Sequence, residues 1–216
     1  MLKYNEFHGE VQQGSAVDET LRKYFPDPSY KGIFLDIGAY EPINISNSYH
    51  FEKNDWDVYC FEGNTDRIEE LKSLRKNVFN VAVADISKES ISFTVVQGCW
   101  GGGSETAGLS AITLDPQYLE VFESGIKSTK VITVPQICLT DFLPTILGDK
   151  KEIDIISIDV EGGEFNVLKG LDLNTYRVKV FVIENIFSSM KILAYLDTFG
   201  YKLDKRIDYN EYYVPK

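Results

Sequence analysis

GIFLDIGAYE, residues 32–41, places apolar side chains on both parities, Ile33 and Phe34, then Leu35 and Ile37, before it turns polar at Gly38. A strand with one wet face alternates; a run that is apolar on both faces fits a strand covered by helices on both sides. The same character recurs in WDVYCFE (Trp56 to Glu62), DIISIDVEGGE (Asp154 to Glu164) and VKVFVIEN (Val178 to Asn185). Between and after these lie stretches with a helical period. NISNSYHFEKN (Asn44 to Asn54) would turn Ile45 and Tyr49 inward. TDRIEELKSLR (Thr65 to Arg75) would do so with Ile68, Leu71 and Leu74, and FNVLKGL and MKILAYLDTFG follow later, the last closed by Gly200. Strands that alternate with helices predict a parallel, doubly wound sheet with right-handed crossovers. FNVAVAD (Phe79 to Asp85) reads as a further strand, SISFTVV (Ser90 to Val96) as another, and YKLDKR with YNEYYVP as an antiparallel hairpin on the sheet's C-terminal edge.

Around this core, Ser15 is the expected cap of a short helix carrying Val17, Leu21, Tyr24 and Phe25, stopped by Pro26 and Pro28; residues 1–31 then form a flank or lid. Residues 98–130 fit no pattern and read as a variable insertion on the acceptor side. Within it, the Trp100-Gly-Gly-Gly-Ser104 loop is either an ordinary connection or an acceptor lid. No Pro/Ser-rich linker or repeat divides the chain, so residues 1–216 are expected to form one domain.

The composition, 44% hydrophobic and 25% charged over 216 residues, is that of a globular protein able to build its core without staples. A net charge of −11 repels phosphate backbones and anionic membrane surfaces, which disfavours nucleic acid as a partner. Cys60, Cys99 and Cys138 are odd in number and contain no CxxC pair, so neither a disulfide framework nor a zinc site is indicated. MLKYNEFHGEVQQG lacks the basic start and apolar run of a signal peptide, and no later run is long enough to span a bilayer; a reducing cytoplasm is the expectation.

In open α/β sheets, ligands bind beyond the carboxyl ends of the strands, where strand order reverses. Asp36, Glu62, Asp159 and Glu184 all fall at such ends, and four acids in register point to a site more strongly than any one alone, which could be a helix cap. The turn Asp36-Ile-Gly38-Ala39-Tyr40 is not a GxGxxG dinucleotide fingerprint, because Tyr40 and Ile43 stand where glycines would be needed. Glu62, one crossover later, suits the two hydroxyls of a ribose. Asp85, behind the apolar Ala84, suits the exocyclic amine of an adenine. An acidic first tip for a positive amino-acid end, a ribose and an adenine describe S-adenosylmethionine better than NAD.

At this point the chain resembles a class I S-adenosylmethionine-dependent methyltransferase and, more narrowly, the FkbM family. The resemblance rests on LDIGAYEP (Leu35 to Pro42), SNSYHFEKNDWDVYCFEGN (Ser46 to Asn64), ISIDVEGGEFNVLKGL (Ile156 to Leu171), VFVIEN (Val180 to Asn185) and GYKL (Gly200 to Leu203). It implies a Rossmann-like α/β fold and methyl transfer to a hydroxyl, commonly on a sugar or natural product. Gly63, where many relatives have proline, departs from the pattern, as does residue 98–130.

The expected cofactor set is Asp36, Gly38, Ala39, Glu62, Asn64, Ala84, Asp85 and Asp159, with helix capping the competing role for Asn64 and a turn that for Asp85. Methyl transfer to an alcohol mainly needs positioning and a base for the hydroxyl proton; Asp159 or Glu161 is the candidate, against capping of the helix that follows. Asp159, Glu161 and Glu164 together would also permit a divalent cation, but metal independence is the expectation. His8 and His50 belong to no dyad. The competing classes are a catalytically silent cofactor-binding scaffold and, further off, a nucleotide-dependent oxidoreductase.

Overall fold

The computed structural model describes residues 6–99, 105–106, 110–112, 117, 120 and 123–216, so the Trp100–Ser104 loop lies outside the described residues. In chain order the elements that matter begin with a small flap, β1 (Val11–Gln12) and β2 (Ser15–Ala16), and helix α1 (Val17–Arg22). Then come β3 (Ile33–Ile37), α2 (Tyr49–Lys53), β4 (Asp57–Glu62), α3 (Thr65–Leu74), β5 (Asn77–Asn80) and β6 (Ala82–Ala84). β7 (Lys88–Cys99), β8 (Glu105–Thr106) and β9 (Ile126–Cys138) precede α4 (Leu139–Leu147) and β10 (Glu152–Ile158). The chain ends with α5 (Glu164–Lys169), β11 (Arg177–Glu184), α6 (Met190–Thr198), β12 (Tyr201–Ile207) and β13 (Asn210–Pro215).

The main sheet has the order β12-β13-β11-β10-β3-β4-β5. β5, β4, β3, β10 and β11 are parallel, and the β12–β13 hairpin closes the edge in antiparallel pairing. The chain leaves β3 in one direction, through β4 to β5, and returns on the other side of β3 at β10, so strand order reverses between β3 and β10. That is where a doubly wound sheet opens a crevice.

Burial follows the two-faced sequence pattern. Ile33, Leu35 and Ile37 of β3 pack with Leu139, Leu143 and Leu168 on one face, while Phe34 packs with Phe51, Trp56 and Leu71 on the other. Among the described residues, no helix is long and apolar enough to cross a membrane.

Four local expectations are corrected. The FNVAVAD run is two strands, because the chain leaves the main sheet at Val81: Ala82–Ala84 pairs instead with β9 in a second sheet of order β6-β9-β7-β8. The helix expected from Asn44 shrinks to Tyr49–Lys53, since Ile45 takes a left-handed backbone (φ 53°) and is 53% exposed rather than packed inward. Leu74, expected inward, is also exposed. Ser15 does not cap α1; Ala16 holds that position, and the Ser15 hydroxyl donates to Glu19 one turn on, at 2.8 Å.

Candidate active site

A cavity of about 680 Å³ opens at the reversal point, floored by the ends of β3, β4, β10 and β11 and roofed by the second sheet. Asp36, Gly38, Ala39, Glu62, Ala84, Asp85, Asp159 and Glu161 all line it.

The first junction is held by main-chain bonds and the Glu62 carboxylate. Gly38 (φ 89°) is required because a Cβ there would lie 1.7 Å from the Asp159 carbonyl oxygen: the glycine lets β3 and β10 close on each other rather than admitting a ligand to the backbone. The Gly38 and Ala39 N–H groups both donate to the Phe61 carbonyl, at 2.9 and 3.1 Å. The next N–H, of Tyr40, donates to Glu62 Oε2 at 2.9 Å, and Asn64 N–H donates to Glu62 Oε1 at 2.6 Å. Burial pushes the Glu62 carboxyl up, and these two backbone donors oppose the shift. A carboxylate has about four acceptor sites, so each Glu62 oxygen keeps one for a ligand.

Asp36, also buried, is pushed up by desolvation and held down by the Ser48 hydroxyl, which donates to its Oδ2, and by the Arg75 guanidinium behind it. Asn64 does not line the cavity: its side-chain oxygen accepts from Asp66 N–H at 3.1 Å and caps α3, the competing role the sequence allowed. Asp85 reaches the rim, but its carboxylate is engaged by Lys169 at 3.0 Å, and that half-exposed pair holds its pKa down.

The roof is largely apolar. Phe93 of β7 lies on Gly63, where a Cβ would come within 2.6 Å of the ring; this close packing is the local reason a glycine follows Glu62. Ser110, Ala111 and Ile112 also line the cavity, pinned to β7 by the paired backbone bonds between Ala111 and Thr94 at 2.9 and 3.0 Å. Part of the 98–130 insertion thus reaches the site.

Opposite the roof is a knot of acids. Asp159, Glu161 and Glu184 bring one oxygen each within 4.8 Å of one another, a spacing that could hold a metal ion. The Glu184 carboxylate beside Asp159 disfavours its ionisation. Burial, then Glu184, Glu164 and Glu10, drive Asp159 well above the usual carboxylate range; burial, then Asp159, Glu164 and Glu10, do the same to Glu161. Glu164, the first residue of α5, turns back on the loop before the helix: its Oε1 accepts from Val160 and Gly162 N–H at 3.2 and 2.9 Å, while Gly163, which has no side chain, holds the N-cap. Asp159 and Glu161 keep a partly exposed face toward the cavity.

Sequence reasoning missed Glu10, Phe93 and Tyr40, which come to the cavity from the flap, the second sheet and a left-handed turn. Glu184 was visible only as one strand-end acid among four. His8 and His50 do not line the cavity. Among its described lining residues, seven acids (Glu10, Asp36, Glu62, Asp85, Asp159, Glu161 and Glu184) face one basic side chain, Lys88.

The model of the methyltransferase FkbM domain matches residues 36–203. No curated protein matches the chain. Among solved structures, precorrin-6y C5,15-methyltransferase from Geobacter metallireducens is similar with a TM-score of 0.41 at 11% identity, over 97% of this chain and 93% of that one. A proposed RNA methyltransferase from Pyrococcus horikoshii is similar with a TM-score of 0.41 at 10% identity, over 98% and 95% of the two chains.

Proposed function

The chain belongs to the FkbM methyltransferase family, and from that premise we propose that it is an S-adenosylmethionine-dependent O-methyltransferase acting on a hydroxyl of a sugar, glycan or related small molecule. The observation that carries the cofactor is that the strand-end N–H groups of the described lining are already engaged, in a cavity rich in carboxylates. The N–H groups of Gly38, Ala39 and Tyr40 are consumed by Phe61 and Glu62, and those of Val160 and Gly162 by Glu164. A dinucleotide's pyrophosphate would meet spent donors and seven acids, whereas a sulfonium and an ammonium group are favoured by the same charge.

The residues fit that ligand. Glu62 would accept the ribose hydroxyls, the apolar wall of Val83, Ala84, Phe93 and Ile112 would cover the adenine, and Asp36 and Asp159 would flank the methionine end. When bound, the cofactor supplies an electrophilic methyl group. What this chain contributes is position and a proton acceptor: the cavity aligns the acceptor oxygen, and Asp159, with Glu161 beside it, takes the hydroxyl proton as it acidifies. Hydroxyl donors of a sugar also suit Glu10, Glu161 and Glu184 better than an anionic acceptor would.

Titration calorimetry with S-adenosylmethionine and NAD tests the cofactor. Binding of the first and not the second is expected, and Glu62→Ala should weaken it roughly tenfold or more through lost charge-assisted hydrogen bonds. Asp159→Asn keeps shape but not basicity, so turnover should fall about 10²–10⁴-fold with cofactor affinity retained. Full turnover in that variant alongside loss in Glu161→Gln would move the base to Glu161.

A further inference from the structure

We infer that Arg75 is a positioning residue for the cofactor end of the cavity: one buried guanidinium fixes residues 42–48, of which Ile45 and Asn47 line the site, and through Ser48 it sets the hydrogen bond that holds the Asp36 carboxylate. This rests on the cofactor reading above and adds a residue from outside the cavity.

By sequence, Arg75 is the basic side chain at the end of a helix, where such residues normally stand in solvent beside the last carbonyls. The fold instead buries it to 4% exposure. Burying a guanidinium is unfavourable unless its donors are matched. Nε pairs with Glu52 at 2.5 Å, Nη1 donates to the Pro42 carbonyl at 3.1 Å and to Ser46 Oγ at 3.0 Å, and Nη2 donates to Ser48 Oγ at 2.7 Å. The second oxygen of Glu52 accepts from Lys76 N–H at 2.8 Å, so the counter-ion is tied to the same segment. The Tyr49 ring lies 5.6 Å from the guanidinium carbon.

Three of these bonds end on one loop, and that loop is not relaxed. Tyr40 and Ile45 both adopt left-handed backbone, φ 42° and 53°, which side-chain-bearing residues hold only when their surroundings over-determine it. Its front face, Tyr40, Ile45 and Asn47, lines the cavity. Arg75 grips it from behind.

The link to Asp36 is directional. A serine hydroxyl has one hydrogen to give. Because Ser48 Oγ receives the Arg75 donor, its own hydrogen is free to point at Asp36 Oδ2, and it does. The chain Glu52, Arg75, Ser48, Asp36 therefore fixes the orientation of a carboxylate at the cavity wall. A purely structural ion pair would stabilise the fold without touching ligand affinity, and the two roles separate by experiment.

Titration calorimetry with S-adenosylmethionine on wild type, Ser48→Ala, Ser48→Thr and Arg75→Lys, each checked for folding by circular dichroism, makes the test. A single lysine ammonium cannot reach Glu52, Pro42, Ser46 and Ser48 together, so folded Arg75→Lys should bind at least tenfold more weakly. Ser48→Ala, which leaves the ion pair intact, should also lose roughly tenfold, and Ser48→Thr should restore affinity to within a few fold. If Arg75→Lys does not fold, the serine pair decides alone. Unchanged affinity in folded Ser48→Ala overturns the inference, as does equal loss in Ser48→Thr. If the wild type does not bind S-adenosylmethionine, the cofactor reading falls first and the inference with it.

Discussion

Replacing Glu184 by Gln removes one charge from the acid knot and leaves its shape. Glu184 is the last residue of β11, 6% exposed, and its carboxylate lies within 4.8 Å of those of Asp159 and Glu161. Two unit charges at that distance repel by about 3.5 kcal/mol at an effective dielectric near 20. Asp159 is partly exposed to the cavity, so a smaller part, about 1.4 kcal/mol or one pH unit, is the expected minimum. The sign follows from the causes of the shift. Burial raises the Asp159 carboxyl and Glu184 raises it further, and a base works only when ionised. Wild-type turnover should therefore decline as pH falls through a midpoint well above the usual carboxylate range. In Glu184→Gln the second cause is gone while burial remains, so the midpoint moves toward acid by about one unit or more and stays above the ordinary range. The stability curve should move in step. A carboxyl raised by folding is held protonated more tightly in the native state, so stability falls as pH rises from the unfolded toward the folded pKa; losing Glu184's charge should relieve part of that decline. A pH–rate profile at saturating substrates reads the first effect, and carbonyl NMR titration of the free protein reads it without an acceptor. A midpoint that stays put or moves to higher pH in the folded variant would refute the electrostatic coupling and, with it, the assignment of a tuned base to Asp159.

Gly63→Ala puts a Cβ 2.6 Å from the Phe93 ring and should cost about 1–3 kcal/mol in denaturant unfolding; the same change in a Phe93→Leu background should cost much less, and additive costs would show that the contact is not the reason for the glycine. Asp18, wholly buried and raised by desolvation to about 6 against the partial opposition of the His8, Gly9 and Glu19 N–H groups, should make the fold less stable as pH rises from 4 to 7, by about 3 kcal/mol in all; thermal melts of Asp18→Asn should lack that slope. Turnover is expected to survive EDTA, whereas loss on chelation with recovery in Mg²⁺ would make Asp159, Glu161 and Glu184 a cation site and turn the base into a ligand.

Where the sequence was legible, one-dimensional pattern and three-dimensional environment coincided. Ile33 to Ile37 is apolar on both parities because both faces of β3 are covered, and that fact alone implies a parallel sheet, a crevice beyond its strand ends, and acids at those ends sharing one space. The legible residues are the ones whose position along a strand fixes their position in the site: Asp36, Gly38, Glu62, Asp159. Illegibility began where a partner far along the chain made the choice. Val81 interrupts no pattern, yet β6 leaves the main sheet there because β9, some fifty residues later, offers it a parallel edge. Phe93 looked like one more alternating strand residue, and only the ring's seat on Gly63 brings it to the cavity. Arg75 had the local signature of a solvated helix end and is buried solely because Glu52, Pro42, Ser46 and Ser48 converge on it.

The acid knot carries this one step further. Asp159 and Glu161 were candidates by strand position, but nothing local distinguishes a carboxylate that caps a helix from one that is left to titrate. Here Gly163 holds the N-cap of α5, and the Glu164 oxygen occupies the Val160 and Gly162 N–H groups of the loop before it, so those two donors are closed to Asp159 and Glu161. Burial, and the acids Glu164 and Glu10 with Glu184 beside Asp159, push both carboxyls far upward. A carboxylate that accepts backbone N–H bonds is held ionised and weakly basic; one raised by burial and neighbouring acids binds a proton more tightly, as the proposed base requires. For the role proposed for Asp159, then, the residue five positions downstream matters as much as the strand position: it takes two of the loop's N–H groups and adds one more carboxyl that raises Asp159.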